Sequence, residues 1–165
     1  MSGVAINAGK GLLRDFGEVD QLQVSRKGTS NFVTKSDSRT EKFIHRELEK
    51  ARPGYGFLME ESGEIPGKDE SFRWIIDPLD GTSNFIHAIP YFCISIALEK
   101  RDGKGGSEIL AGVVYDPIHN ELFVAEKHKG AFMNNRRLAV SSRERIEDAM
   151  LVTGGLRASP GDLYS

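Results

Sequence analysis

The chain has 165 residues, of which 39% are hydrophobic and 28% are charged. This composition is typical of a globular protein with a core, and it excludes a disordered tail, a collagen-like fibre and a low-complexity scaffold. Lys and Arg number 22 against 24 Asp and Glu, so the net charge is −2. Without a basic excess, neither nucleic acid nor an anionic membrane is predicted as a partner. The length fits a single domain over residues 1–165.

The cysteine count and the lack of long apolar runs exclude several kinds of protein. The one cysteine, Cys93, excludes an internal disulfide and a zinc site built on several thiolates. The first residues contain no long apolar run, and no stretch approaches the roughly 20 apolar residues of a membrane helix. We therefore expect a cytoplasmic protein without membrane contact. The four histidines lack metal-ligand spacing and are not predicted to bind metal: His45, His87, His119 and His128.

The N-terminal third predicts two helices. Apolar residues recur at helical spacing over residues 5–16, although two glycines weaken the pattern. An amphipathic helix is predicted over residues 38–51, with Asp37 or Ser38 as its N-cap and Glu41 in its first turn. A Pro-Gly pair follows this second helix and is expected to end it.

Short apolar runs separated by turn residues follow the second helix, a pattern typical of β-strands. Strands are predicted over residues 56–59, 73–76, 92–98, 109–115, 121–125, 131–133, 137–140 and 149–153. Residues 116–120 have the composition of a hairpin turn. Helices that precede a series of closely spaced strands favour a layered α/β or α+β sheet domain over a helical bundle or a pure β-sandwich.

Acidic residues follow two of the predicted strands directly. Glu60 and Glu61 come after one apolar run, and Asp77 and Asp80 come after the next. Carboxylates beyond strand ends converge at the edge of a sheet, where α/β proteins usually place their sites. Several carboxylates share a small space only if a cation offsets their repulsion, and such hard oxygen ligands suit Mg²⁺, Mn²⁺ or Ca²⁺ rather than Zn²⁺.

The residues after this acidic pair offer a complementary feature. Gly81-Thr82-Ser83 is predicted to open a short helix with free backbone N–H groups and two hydroxyls, which is the chemistry that holds a phosphate. Carboxylates that bind metal beside an anion cradle suggest metal-assisted phosphoryl chemistry. The alternative is that these acidic residues serve only as turn and surface residues, because Asp-Pro and Asp-Gly pairs are common turn formers.

Residues 74–90, WIIDPLDGTSNFIHAIP, resemble the signature of the inositol monophosphatase family. Three other segments resemble the family in the same order: NFVTKSD at 31–37, MEESG at 59–63, and residues 115–123. The resemblance runs from about residue 8 to residue 155 and is closest to the bacterial branch. The chain is therefore expected to share the family's layered α/β/α/β/α sugar-phosphatase fold, of which it would form mainly the N-terminal α/β portion.

The resemblance also implies an activity. The family consists of Mg²⁺-dependent, usually lithium-sensitive phosphomonoesterases that are often homodimers. The expected reaction is hydrolysis of a phosphate monoester such as inositol 1-phosphate, in which a metal-activated water attacks phosphorus in line and no phosphoenzyme forms. Related phosphatases act on histidinol phosphate, fructose bisphosphate or phosphoadenosine phosphate, and Asn84-Phe85 favours inositol- or histidinol-phosphate-like substrates.

Individual roles carry over by position. Glu60, Asp77 and the carbonyl of Leu79 resemble ligands of a first Mg²⁺, and Asp77 with Asp80 would hold a second. The resemblance places Thr82, backed by Asp37, beside the attacking water together with Glu60. The expected substrate-binding residues end the predicted strand and open the short helix: Asp80, Gly81, Thr82 and Ser83.

One part of the family pattern is missing. Family members continue into a second sheet-and-helix unit with a Trp-Asp-x-Ala-Ala-Gly motif, whose Asp is a ligand of the second metal. The only tryptophan here is Trp74, which belongs to the first motif, so the chain is expected to lack this C-terminal unit. The alternative to an active phosphatase is therefore a truncated, non-catalytic remnant that binds metal or a protein partner.

Overall fold

The computed structural model describes residues 1–22 and 29–151. Two long helices, α1 (Ser2–Leu22) and α2 (Thr29–Ala51), precede the sheet, and a short helix α3 (Thr82–Ile86) interrupts it. The strands are β1 (Tyr55–Met59), β2 (Gly63–Ile65), β3 (Asp69–Asp80), β4 (Cys93–Arg101), β5 (Ser107–Asp116), β6 (Glu121–Glu126), β7 (Gly130–Met133) and β8 (Arg136–Arg137). A 3₁₀ turn covers Ile146–Asp148.

The strands form one eight-stranded mixed sheet in the order β2-β1-β3-β4-β5-β6-β7-β8. β1 and β3 are parallel, and the other neighbouring pairs are antiparallel. The layered α/β class is therefore confirmed. Because β1 and β3 run in the same direction, their carboxyl ends lie at the same edge of the sheet, and the register pairs Met59 with Ile76.

Helices α1 and α2 pack on one face of this sheet. Ile76, Ile96 and Val113 lie opposite one another across β3, β4 and β5, and each is at most 2% exposed. Ile75 precedes Ile76 and Ala97 follows Ile96, so both side chains point to the other face, where they are only half-buried. The core between the helices and the first face includes Ala5, Leu12, Ile44, Leu48, Phe57, Trp74, Phe85 and Ile94.

Gly9 shows why a residue that weakens a helix is present in α1. A Cβ atom at this position would lie 2.6 Å from the Tyr115 ring of β5. The missing side chain therefore allows α1 to approach the sheet closely, and this packing outweighs the roughly 1 kcal/mol that glycine costs a helix. α1 is also longer at both ends than its apolar spacing predicts.

The structure corrects two predicted boundaries in the first half of the chain. α2 begins at Thr29, so neither Asp37 nor Ser38 is its N-cap, and Asp37 is instead buried within the helix. β3 continues to Asp80, with an irregular register between Asp77 and Asp80 rather than a turn after the strand. Pro78 lies at this irregularity, as expected for a residue that cannot donate to a strand ladder.

Two predicted strands near the C-terminus also differ. The strand predicted over 137–140 is reduced to the two residues of β8. Residues 149–151 form no strand, and the rest of the predicted strand over 149–153 lies outside the described residues. The other predicted strands and the hairpin turn between β5 and β6 are confirmed. Within the described residues, the helices lack the combined length and apolar character that crossing a membrane requires.

Candidate active site

Three segments meet at the edge where β1 and β3 end. Glu60 follows β1, and its backbone N–H donates to the carbonyl of Ile76 at 3.2 Å, which extends the pairing of the two strands by one residue. This pairing sets Glu60 beside Asp77, and the two carboxyl groups are in hydrogen-bonding contact. Asp80 lies at the end of β3, and Asp37 reaches the same region from α2.

The contact between Glu60 and Asp77 changes how both carboxyls bind protons. Partial burial and the negative charge of Asp77 raise the pKa of Glu60 to about 7, with further contributions from Glu61 and Asp80. Burial also raises the pKa of Asp77, and the charge of Asp80 adds to this effect. The Leu79 N–H, which donates to Asp77 Oδ1 at 3.1 Å, opposes the rise. Two carboxylates in contact require a shared proton or a cation.

Asp37 is the most enclosed carboxylate of the site. It is 2% exposed, and its Oδ1 atom has no hydrogen-bond partner among the residues that the structure describes. Burial raises its pKa to about 7, assisted by the charges of Glu61, Glu60, Asp77 and Glu41. A buried oxygen without a donor is costly, so Asp37 is poised to accept a proton or a hydrogen bond from a group that enters the site.

The residues after β3 form the predicted helix start. Gly81 has a φ of 93°, and a Cβ there would lie 3.0 Å from the carbonyl oxygen of Tyr91, so only glycine fits without strain. The Phe85 N–H donates to the Gly81 carbonyl at 3.0 Å and begins α3. Because the first N–H groups of a helix lack intrahelical acceptors, those of Gly81 and Thr82 are suited to an anion.

The Thr82 hydroxyl has a different partner from the one expected. It donates to the carbonyl oxygen of Leu79 at 2.9 Å, whereas the resemblance pairs it with Asp37. The bond links two groups that are both predicted to belong to the site. It also leaves the hydroxyl oxygen of Thr82 able to accept a hydrogen bond.

The sequence analysis placed Glu41 only in the first turn of a helix; α2 begins at Thr29, so Glu41 instead lies inside the helix and next to the site. Glu41 is 1% exposed on α2 and accepts a hydrogen bond from the Glu61 backbone N–H at 2.9 Å. It also accepts one from the Ser62 hydroxyl. A signal for it exists in the sequence, because Glu41 lies three residues before the core residue Ile44 and so shares its helix face.

The donor set fits a hard divalent cation. Within residues 1–22 and 29–151, no group of three acidic, histidine or cysteine side chains is placed so that it could hold a metal ion. The carboxyls nevertheless have the features of a cation site: Glu60 contacts Asp77, and each charge that raises the pKa of Glu60 belongs to another carboxylate. An oxygen-only cluster whose members repel one another favours Mg²⁺ or a similar ion over Zn²⁺.

Comparison with known proteins identifies the family. A model of the inositol monophosphatase family matches residues 2–164. The chain belongs to the inositol monophosphatase family. The resemblance noted in the sequence is thereby confirmed.

Several relatives of this family member show the extent of the match. It is 54% identical to inositol-1-monophosphatase of Caulobacter vibrioides, over 91% of this chain and 57% of that protein. It is 41% identical to the Nus factor SuhB of Pasteurella multocida, over 91% of this chain and 54% of that protein. A crystal structure of the extragenic suppressor protein suhB from Bartonella henselae superposes with a TM-score of 0.76 at 50% identity, and covers 90% of this chain and 55% of that one.

The chain therefore spans about half the length of the relatives it matches. The chain's family and its mixed α/β fold are shown by these comparisons. Two names occur among them, one for a phosphatase and one for a Nus factor, so the activity of this chain has to be argued from its own residues.

Proposed function

We propose that this inositol monophosphatase family member hydrolyses a phosphate monoester such as inositol 1-phosphate in a Mg²⁺-dependent reaction. The observation that carries the proposal is the contact between the Glu60 and Asp77 carboxyls, next to a helix start at Gly81. A structural role for this pair is disfavoured, because two uncompensated carboxyls in contact destabilise the folded chain.

Four groups are proposed to hold the ion: the carboxylates of Glu60, Asp77 and Asp80, and the carbonyl of Leu79. Family members generally use Mg²⁺. When bound, Mg²⁺ supplies positive charge that neutralises these carboxylates and lowers the pKa of a coordinated water. The carbonyl of Leu79 is already ordered by the Thr82 hydroxyl, which donates to it at 2.9 Å.

The remaining roles belong to the chain's own polar groups. The backbone N–H groups of Gly81 and Thr82, with the Ser83 hydroxyl, are proposed to donate to the phosphoryl oxygens and to stabilise their charge as the ester bond breaks. The oxygen of Thr82 accepts a hydrogen bond from the attacking water. Asp37, whose pKa is about 7 and which is not among the proposed Mg²⁺ ligands, is suited to accept the proton that this water loses, and Glu60 is proposed to orient the water.

The test is phosphate release from inositol 1-phosphate by the 165-residue chain, with Mg²⁺ and with EDTA in its place. The wild type is compared with Asp77→Asn, and with Glu49→Gln as a control on the exposed side of α2. Activity that requires Mg²⁺, disappears in Asp77→Asn and persists in Glu49→Gln supports the proposal. Equal turnover in Asp77→Asn and in the wild type contradicts it.

The same assay separates the substrate classes. Histidinol phosphate and fructose bisphosphate are offered at the same concentrations as inositol 1-phosphate, and the ratio of kcat/KM values ranks them. We expect the highest value for inositol 1-phosphate. A higher value for either alternative substrate would move the chain to that branch of the family without changing the roles proposed for Glu60 and Asp77.

A second candidate function is binding to a protein partner. The sheet face opposite α1 and α2 includes Val114, which is 38% exposed, and relatives named Nus factor SuhB are 40–41% identical to the chain. We propose a second copy of the chain as the occupant of this face, which gives a homodimer. Light scattering is expected to show a dimer. Val114→Glu should dissociate it, and Leu13→Glu, at an exposed position of α1, should leave it intact. A monomeric wild type contradicts this candidate.

A further inference from the structure

Glu41 is a buried carboxylate outside the proposed catalytic set. It lies one helical turn after Asp37 on the same face of α2 and is 1% exposed. Burying a carboxylate is costly unless hydrogen bonds compensate for the lost hydration. The partners that compensate Glu41 therefore indicate what this residue does.

Both oxygens of Glu41 bind the turn that follows Glu60. Oε2 accepts from the Glu61 backbone N–H at 2.9 Å, and Oε1 accepts from the Ser62 hydroxyl. On the opposite side, the Glu60 N–H is bound to the Ile76 carbonyl of β3 at 3.2 Å. The turn is thus held by β3 at its first residue and by α2 at its next two residues.

Packing contributes little to the position of this turn. Glu60, Glu61 and Ser62 are all exposed, so the hydrophobic core does not enclose their side chains. An exposed turn has several accessible conformations of similar energy, and two hydrogen bonds to one acceptor side chain favour one of them. Here the acceptor is itself fixed, because α2 is anchored to the core by Ile44 and Leu48.

We propose that Glu41 is a positioning residue, which holds the turn over residues 60–62 so that the Glu60 carboxylate faces Asp77. This inference rests on the proposed function, because it assigns Glu41 to the support of a proposed Mg²⁺ ligand. Residues that hold a metal ligand in place through hydrogen bonds typically change metal affinity about 10–100-fold when they are removed. The chemistry of Glu41 is hydrogen bonding, and its negative charge is not required.

Substitution can separate the hydrogen bonding of Glu41 from its negative charge. In Glu41→Gln the amide oxygen accepts from Glu61 N–H, and the amide nitrogen donates to the Ser62 hydroxyl, which can accept as well as donate. Both hydrogen bonds are kept and the charge is lost. In Glu41→Ala both are lost. Ser62→Ala removes one of the two bonds at an exposed position and keeps Glu41.

The experiment measures the Kd of Mg²⁺ for the full chain by calorimetry, well below the melting temperature of each variant. Glu41→Ala is expected to weaken binding about 10–100-fold, and Glu41→Gln to bind within about 3-fold of the wild type. Ser62→Ala is expected to fall between them, and Glu49→Ala, on the exposed side of the same helix, to bind like the wild type. Hydrogen exchange of the Glu61 amide is expected to accelerate in Glu41→Ala and to stay slow in Glu41→Gln.

The outcomes distinguish this inference from the proposed function. Wild-type affinity in both Glu41→Ala and Ser62→Ala overturns the positioning role and leaves the Mg²⁺ site standing. Binding by Glu41→Gln that is as weak as by Glu41→Ala also overturns it, because charge rather than hydrogen bonding would then be required. A wild type that binds no Mg²⁺ overturns the proposed function itself, and the support role of Glu41 with it. If Glu41→Ala does not fold, Ser62→Ala and Glu41→Gln decide the question.

Discussion

The two ends of β3 differ in whether positive charge compensates their carboxylates. Near its start, Arg73 donates to Glu99 at 2.7 Å and to Glu64 at 3.0 Å. At its other end, Asp77 contacts Glu60 and lies near Asp80, and the charges acting on these groups are of one sign. One strand therefore carries a compensated acidic pair and an uncompensated one.

The pKa shifts follow from this difference. Burial raises the pKa of Glu99, but the hydrogen bonds from Arg73 and Ser107 outweigh burial, and the net shift is downward. For Glu60, burial and the neighbouring carboxylates act in the same direction and raise the pKa to about 7. We infer that the Arg73–Glu99 pair stabilises the fold, whereas the Glu60–Asp77 pair is stabilised only when a positively charged ligand binds.

Removing one carboxylate of the uncompensated pair should produce the largest effect. Asp77→Asn is expected to weaken Mg²⁺ binding by more than about 100-fold. The loss exceeds that of a residue that only hydrogen-bonds to a ligand, because a proposed direct ligand is removed. The same change removes repulsion with Glu60, so the metal-free chain is expected to melt at the same or a higher temperature. Calorimetric titration and thermal melting measure the two effects. Glu70→Gln, at an exposed position of the same strand, is the control, and equal Mg²⁺ affinity in Asp77→Asn and the control would contradict the assignment.

Breaking the compensated pair should have the opposite profile. Glu99→Gln leaves Arg73 with Glu64 as its remaining carboxylate, and we expect a loss of about 2 kcal/mol in the free energy of unfolding, because one partner of a buried ion pair has been neutralised. Mg²⁺ affinity should not change. Urea denaturation gives the stability, with Glu64→Gln as the comparison, since an exposed partner is worth about 1 kcal/mol or less. A weaker Mg²⁺ affinity in Glu99→Gln would show that the two ends of β3 are coupled.

The sequence predicts the uncompensated end of β3 better than the compensated end. Glu60, Asp77 and Asp80 each follow a short apolar run, so local order along the chain is enough to place them at strand ends. Arg73 and Glu99 meet because the antiparallel register of β3 and β4 sets them opposite one another. That register depends on tertiary pairing between residues 26 positions apart, which no local pattern encodes.

The start of α2 shows a second limit of the sequence. Ser and Asp are favoured helix caps, so a polar segment before the apolar stripe of Ile44 predicts a helix that starts there. In the structure four polar residues within the helix are buried: Ser36, Asp37, Thr40 and Glu41. These four residues lie on the same face of α2 as Ile44. They are polar because this part of α2 packs on α1 and on the candidate site rather than on the hydrophobic core alone. Burial of polar side chains near a site overrides the propensity that predicts a cap.

The pH dependence of stability should sharpen the contrast between the two ends. The pKa of Asp37 is about 7 in the folded chain and about 3.8 in the unfolded chain, so the folded state binds more protons between these values. Unfolding free energy therefore falls as the pH rises from about 4 to about 7, and is constant above that range. We expect the metal-free chain to melt about 5–10 °C lower at pH 7.5 than at pH 5 from this group alone, because the change in unfolding free energy is about 2–3 kcal/mol.

Asp37→Asn is the matched variant for this prediction. The amide does not titrate, so the decrease in melting temperature between pH 5 and pH 7.5 should be smaller in the variant than in the wild type. Glu60 and Asp77 contribute with the same sign, and they retain part of the dependence. His119 near Asp116 also has a raised pKa, but it is present in both proteins and cancels in the comparison. Identical pH profiles for the two proteins would show that Asp37 titrates near its ordinary value.

The smallest expected effect concerns the backbone at the two ends of the sheet. Gly81 follows β3 at the site and Gly103 follows β4 at the other end, and their φ values are 93° and 69°. A Cβ at Gly81 would meet the Tyr91 carbonyl oxygen at 3.0 Å, whereas one at Gly103 would meet nothing within 4 Å. Both alanine variants carry the strain of a positive φ, about 1 kcal/mol, and only Gly81→Ala adds a backbone contact. We therefore expect Gly81→Ala to be less stable than Gly103→Ala by a further ~1 kcal/mol in urea denaturation. Equal losses would mean that the turn at Gly81 can shift away from Tyr91, and the backbone proposed to bind phosphate would then be adaptable rather than rigid.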